Sequence, residues 1–132
     1  MISKKFRGWH EKLNRMVYGL KVCDGGAEWT DETGKDWYFD SDGIMQYTGL
    51  KNNKGIEIWE GDVLEFTYQY GFVDIHTPNS LQSETVIGEV YFENGQYLVE
   101  GFSLQKAINE FAENIGNKFD KPELLESEVE DG

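Results

Sequence analysis

Met45-Gln-Tyr-Thr-Gly-Leu-Lys-Asn-Asn-Lys-Gly-Ile-Glu-Ile-Trp-Glu-Gly-Asp-Val-Leu-Glu-Phe66 reads as extended chain, a turn, then extended chain again. Gln46, Tyr47 and Thr48 suit a short strand, an aromatic and a β-branched residue among them. Asn52-Asn-Lys-Gly55 is a turn cluster, because Asn and Gly reach positive φ at little cost. Ile56, Ile58, Val63, Leu64 and Phe66 supply the apolar side, and Glu57, Trp59, Glu60, Asp62 and Glu65 interrupt it. Gly61 falls where the first extended run must bend into the second, which predicts a tight turn or bulge. Glu60 and Asp62 are read as shaping that turn rather than as a catalytic carboxylate pair, since no nucleophile with its base accompanies them.

Working outward, the clearest hairpin is Thr85–Glu93, Asn94-Gly95, Gln96–Gly101. Asn-Gly between alternating runs marks a type I′ turn, which needs positive φ at both positions. Val86, Gly88, Val90 and Phe92 share one face of its first arm. Phe6–Trp9 and Met16–Val22 read as two strands joined through residues 10–15, and Glu28–Thr30 and Lys35–Phe39 as a second hairpin. Val63–Tyr70 continues as a strand into an irregular excursion at 74–83, where Pro78 argues against a central strand. Ser103 is an N-cap candidate. Leu104, Ala107, Ile108, Phe111, Ala112 and Ile115 follow at the spacing of one buried helical stripe. The helix is placed at 104–112 with an extended segment after it; Gly116 as its left-handed cap is the alternative. Pro122-Glu-Leu-Leu125 suits one helical turn, with Pro at its start.

Four Trp, seven Tyr, eight Phe and fifteen Gly against two Pro point to a β-rich chain with many tight turns. The expected fold is mainly β with minor α: a small, partly open antiparallel barrel or bent sheet with one packed helix. At 132 residues one domain over 1–126 is expected, followed by an acidic, disordered tail at 127–132. One Cys and two His favour a reduced, cytoplasmic setting. The chain shows no signal-like leader and no apolar run long enough for a membrane helix.

Metal and cofactor chemistry find no support in the spacing. His10, His76 and Cys23 have no partner at ligand distance along the chain, and His10 is read as a solvated turn residue. Asp40-Ser-Asp-Gly43 superficially suggests a calcium loop, but setting Gly43 at the sixth position puts Tyr38 first and Gly49 twelfth, where acids are required. An Asx-type turn is the better reading. Neither a phosphate-cradling glycine loop nor a nucleophilic triad appears. Net charge is −13, unevenly placed. Residues 1–22 hold six basic side chains against Glu11, a net +5, which leaves −18 for the rest. That field opposes direct nucleic-acid binding.

The central stretch resembles the YopX family of small phage and prophage proteins, whose pattern runs Met-Gln-Tyr-Thr-Gly-Leu, a basic polar turn, Gly, then Glu-Gly-Asp. Lys5-Phe-Arg-Gly-Trp9 is similar to that family's opening, and Asn114-Ile-Gly-Asn-Lys-Phe-Asp-Lys-Pro-Glu-Leu-Leu125 to its close. The three matches run in order from residue 5 to 126. Departures are Ile56 and Lys121, where the family has Lys and Asn. The motif positions are Phe6, Arg7, Trp9, Gln46, Tyr47, Thr48, Gly49, Gly55, Trp59, Glu60, Gly61, Asp62, Ile115, Gly116, Asn117 and Pro122, all read as structural. The resemblance implies a phage or prophage origin in a bacterial host and carries no activity.

Three functions stand on this reading. The first is a non-enzymatic accessory module that binds an unidentified protein partner. The second is an acidic decoy that occupies a nucleic-acid-binding protein, steered by its charge. The third is an enzyme with an unrecognised carboxylate site. Self-association through aromatic-rich strand edges is a further expectation.

Overall fold

The computed structural model describes residues 5–71 and 81–126. The region 74–80 of the expected excursion and the expected tail lie outside them. Strands take 58% of the described residues and helices 11%, so the class is mainly β, with a curled half-barrel sheet and few helices. The chain divides into two compact units, residues 1–50 and 51–132.

In the first unit the strands are β1 (Phe6–His10), β2 (Arg15–Tyr18), β3 (Lys21–Cys23), β4 (Gly26–Thr30), β5 (Asp36–Asp40) and β6 (Ile44–Lys51). β1 lies between β2 and β6, antiparallel to both. β3, β4 and β5 form a separate antiparallel sheet. The single arm expected at Met16–Val22 is therefore split. Gly19 adopts φ +79°, and the N–H groups of Gly19 and Leu20 both donate to the carbonyl of Phe6. That corner buries Leu20 with Val17, Ala27 and Phe39 and sends the chain into the second sheet. The Asx turn expected at 40–43 is a 3₁₀ turn, and the Asp40 side chain makes no capping bond to it.

His10 is a correction of another kind. It is 5% exposed, with its ring edge-on to Trp37 at 4.2 Å and further contacts to Trp29 and Phe39. Its Nδ1 accepts the N–H of Leu13 at 3.1 Å, so the ring closes the β1–β2 turn while filling the aromatic cluster. Asp31 holds the neighbouring hairpin from outside. Its carboxylate accepts from the Thr33 hydroxyl, from Trp37 Nε1–H at 2.9 Å, and from the N–H groups of Lys35 and Thr33. These donors, the Thr33 hydroxyl foremost and then Trp37, keep its carboxyl well below the usual carboxylate range.

The second unit holds β7 (Glu57–Trp59), β8 (Asp62–Tyr70), β9 (Gln82–Glu93), β10 (Gln96–Val99), β11 (Phe102–Ser103) and β12 (Glu113–Asn117), with helices α1 (Leu104–Asn109) and α2 (Glu123–Glu126). Its antiparallel sheet runs β11-β10-β9-β8-β12. Asn94 and Gly95 take φ +52° and +84°, the left-handed pair that the β9–β10 turn needs. Gln82 and Ser83, expected to be irregular, are already in β9. Val86, Gly88 and Val90 are buried as their shared face predicts, but Phe92 is 53% exposed and meets Tyr97 edge-on at 4.9 Å instead. Ile58, Val63 and Leu64 are fully buried. Trp59 joins them at 6% exposure, and Ile56, expected in the core, is 49% exposed. No helix among the described residues is long and apolar enough to cross a membrane.

Two outcomes test this account of the first unit. A Cβ at Gly26 would collide with the carbonyl oxygen of Phe39, which is backbone and cannot move aside. Gly26→Ala is expected to lower stability by about 1–3 kcal/mol in urea unfolding. Asp31 binds its proton more weakly folded than unfolded, so its stabilisation is complete above the ordinary aspartate pKa of about 3.9 and fades as pH falls below it. Tryptophan fluorescence should show Asp31→Asn less stable than the wild type at neutral pH, with the gap closing in acid.

Candidate functional site

The second unit is tied together by a chain of side-chain amides and one carboxylate. Asn52 is 7% exposed. Its Oδ1 accepts the N–H groups of Lys54 and Ile56 at 2.9 and 3.0 Å, which sets the turn before β7. Its Nδ2 donates to Asn114 Oδ1 at 3.0 Å, and Asn114 Nδ2 donates to Asp62 Oδ2 at 3.2 Å. The same oxygen of Asp62 accepts the N–H of Trp59 at 2.8 Å, across the bend at Gly61. Each acceptor thus meets a donor, as burial requires. Asp62 is the turn-shaping group expected of it. Gly61 takes φ +87°, donates its N–H to Val90 and accepts from Lys118.

The other motif residues are distributed as follows. Arg7 is buried in β1, between half-buried Phe6 and Trp9. Gln46, Tyr47 and Thr48 lie half-buried in β6, where Tyr47 sits under the Lys5 ammonium at 5.0 Å. Gly49, inside β6, and Gly55, in the turn before β7, both take left-handed φ, and Glu60 is half-buried beside Gly61. Ile115 and Gly116 belong to β12, with a register irregularity between Asn114 and Gly116, so Gly116 does not cap the helix. Asn117 Oδ1 accepts the N–H groups of Phe119 and Asp120, and the carbonyl of Pro122 accepts from Leu125. These positions do not converge on one cavity. Asn52 and Asn114, absent from the structural set read in the sequence, are the residues that join Asp62 to a cleft.

That cleft, of about 290 Å³, is lined by Asn52, Asn53, Ile56, Phe111 and Asn114, with the Lys54–Glu113 pair at 3.7 Å on its rim. A second cleft of about 420 Å³ is lined by Glu65, Phe66, Thr67, Thr85, Glu110, Phe111 and Glu113. Phe111 and Glu113 belong to both, so Phe111 stands as a ridge between them. Its placement overturns the expected helical stripe. Ser103 caps α1 by accepting the N–H of Lys106, but the helix ends at Asn109. Phe111 N–H then donates to Ile108, and Ala112 N–H donates back to Ala107. This bonding is a Schellman closure, and Phe111 occupies its left-handed position at φ +60°. Glycine ordinarily fills that place. Leu104, Ala107, Ile108 and Ala112 stay buried, while Phe111 is 74% exposed.

The geometry suits binding through an aromatic ridge flanked by amides on one side and carboxylates on the other. Glu65 and Glu113 are direct cross-strand partners, so like charges face each other in the second cleft. Glu110 reaches Lys106 at 3.2 Å. Further along β8, Tyr68 donates its hydroxyl to Glu84 at 3.1 Å, and this bond foremost raises its pKa above the usual phenol value. No group of three or more potential metal ligands occurs among the described residues.

The family model described as YopX protein matches residues 5–126, so the chain belongs to the YopX family. A crystal structure of protein EF1440 from Enterococcus faecalis is similar in fold, with a TM-score of 0.60 and 22% identity over 95% of this chain and 99% of that one. Comparison with curated proteins gives no match.

Removing Asn52 takes the side-chain acceptor from two backbone N–H groups and the donor from Asn114 Oδ1. Asn52→Ala is expected to cost about 2–4 kcal/mol by denaturant unfolding, and Asn52→Asp to remain destabilising, because its carboxylate can still accept the Lys54 and Ile56 N–H groups but meets Asn114 Oδ1 with no donor between them.

Proposed function

We propose that this protein is a non-enzymatic accessory module that docks a protein partner on its second unit, with Phe111 as the anchor. The observation that carries the proposal is Phe111 itself, a bulky side chain 74% exposed in a left-handed backbone position. Such a conformation costs about 1–2 kcal/mol for a residue with a Cβ. The ring gains little from the fold in return. Large aromatics in this setting act as interface anchors, and the two flanking clefts give a partner somewhere to seat the side chains beside it. A phage or prophage origin and action in the bacterial cytoplasm rest on the family resemblance.

A second reading, the acidic decoy, draws on charge placement. Residues 51–132 hold five basic and seventeen acidic side chains, net −12. Such a field would steer a basic nucleic-acid-binding protein to this unit. Salt separates the two readings, because screening weakens long-range attraction and leaves apolar anchoring in place.

Phe111→Gly relieves the strained position and removes the anchor. The variant is expected to be as stable as the wild type or up to about 1 kcal/mol more stable. It should no longer retain from host lysate a partner that the wild type holds through a high-salt wash. Undiminished retention by Phe111→Gly contradicts the proposal. A partner lost from the wild type at high salt, yet unaffected by the substitution, supports the decoy.

A further inference from the structure

β8 is covered unevenly along its outer side. β12 pairs with it only from Asp62 to Glu65, while the β9 ladder continues to Tyr70. From Phe66 to Tyr70 the outer edge of β8 meets no strand among the described residues. The end of the covered stretch lies at the acidic cleft, whose lining includes Glu65, Phe66 and Thr67 of the strand together with Phe111 and Glu113. An open strand edge presents alternate N–H and C=O groups outward, a template for another strand.

We propose that the partner adds an extended segment to this edge of β8, continuing the sheet where β12 leaves it, and that this segment carries a lysine or arginine beside an apolar side chain. The inference rests on the docking role of Phe111 and states its mode. Charge complementarity selects the occupant. Glu65 and Glu113 face each other directly, a like-charge pairing that the exposed Lys54–Glu113 contact at 3.7 Å offsets only weakly and that a further cation in the cleft would relieve. Glu110 lines the same cleft, and its Lys106 partner lies one helical turn back along α1. The Phe111 ring offers an apolar contact beside these carboxylates, suited to the stem of a basic residue or to its apolar neighbour. Main-chain bonds to β8 would supply affinity, and the cleft would supply selectivity, as in strand addition generally. A second copy of this chain fits less well, because it brings the same net negative unit to the same acidic edge.

The test titrates the full-length protein with a short capped peptide alternating valine and lysine, followed by amide NMR. Two controls replace lysine by glutamate or methylate the peptide's backbone nitrogens. The expected result is a shift of alternate amides within residues 66–70 and of the Phe111 ring, with the glutamate peptide at least about tenfold weaker. Backbone methylation should cost at least about tenfold, since it removes more than one main-chain donor of the peptide. Glu65→Gln and Glu113→Gln should each weaken the lysine peptide by about threefold. Equal binding of the methylated peptide, or shifts confined to other surfaces, overturns strand addition. So does a dimer mass by light scattering with residues 66–70 already protected in the peptide-free protein. If strand addition fails while Phe111→Gly still loses its partner, the docking role stands. If Phe111→Gly keeps the partner, the docking role itself falls.

Discussion

The hydrogen-bonded relay from Asn52 through Asn114 to Asp62 is the constraint on which the second unit depends. A buried amide or carboxylate without a partner costs more than a partnered one contributes, so such a chain is stable only when complete. Completing it fixes three stretches at once: the turn before β7, the bend at Gly61, and the start of β12. The register of β12 against β8 follows from this. Where that register begins decides how much of β8 is covered, and therefore where the open edge starts.

Phe111 is held by a separate device with the same consequence. The closure of α1 returns two N–H groups to helix carbonyls and keeps Ala112 in the core, which turns the intervening residue outward. A glycine there would relax the backbone at no cost to the bonding pattern. Phenylalanine there carries a local backbone penalty that the proposed docking role would offset, the kind of local conflict expected where function rather than stability selects the residue. The amide cleft and the acidic edge lie on either side of that ring.

Much of the fold was legible because its signals are local. Asn94-Gly95 dictates its own turn, Ser103 caps the helix three residues before the N–H it accepts, and Gly61 marks a bend that only left-handed backbone can make. The role of Asp62 in shaping that bend could also be read from its neighbours. The relay could not, because Asn52 and Asn114 are far apart in the chain and their pairing is set by sheet register. His10 was misread for a similar reason: its aromatic surroundings come from β4 and β5, and nothing beside it in sequence announces them. Phe111 fits the apolar period of the helix so well that periodicity argues for burial. Only the bonds that end the helix at Asn109 reverse that reading. Ile56 and Trp59 exchanged their expected places because the turn fixed by Asn52 directs one outward and draws the other in.

Amide hydrogen exchange on the protein alone tests the central claim most directly. The account predicts that Lys54, Ile56 and Trp59, whose N–H groups are held by the relay, exchange at rates typical of the β8–β9 ladder. Alternate amides between Phe66 and Tyr70 should exchange fast, as expected of an open edge. Loop-like exchange at Lys54 and Ile56, or uniform protection across residues 66–70, would contradict it.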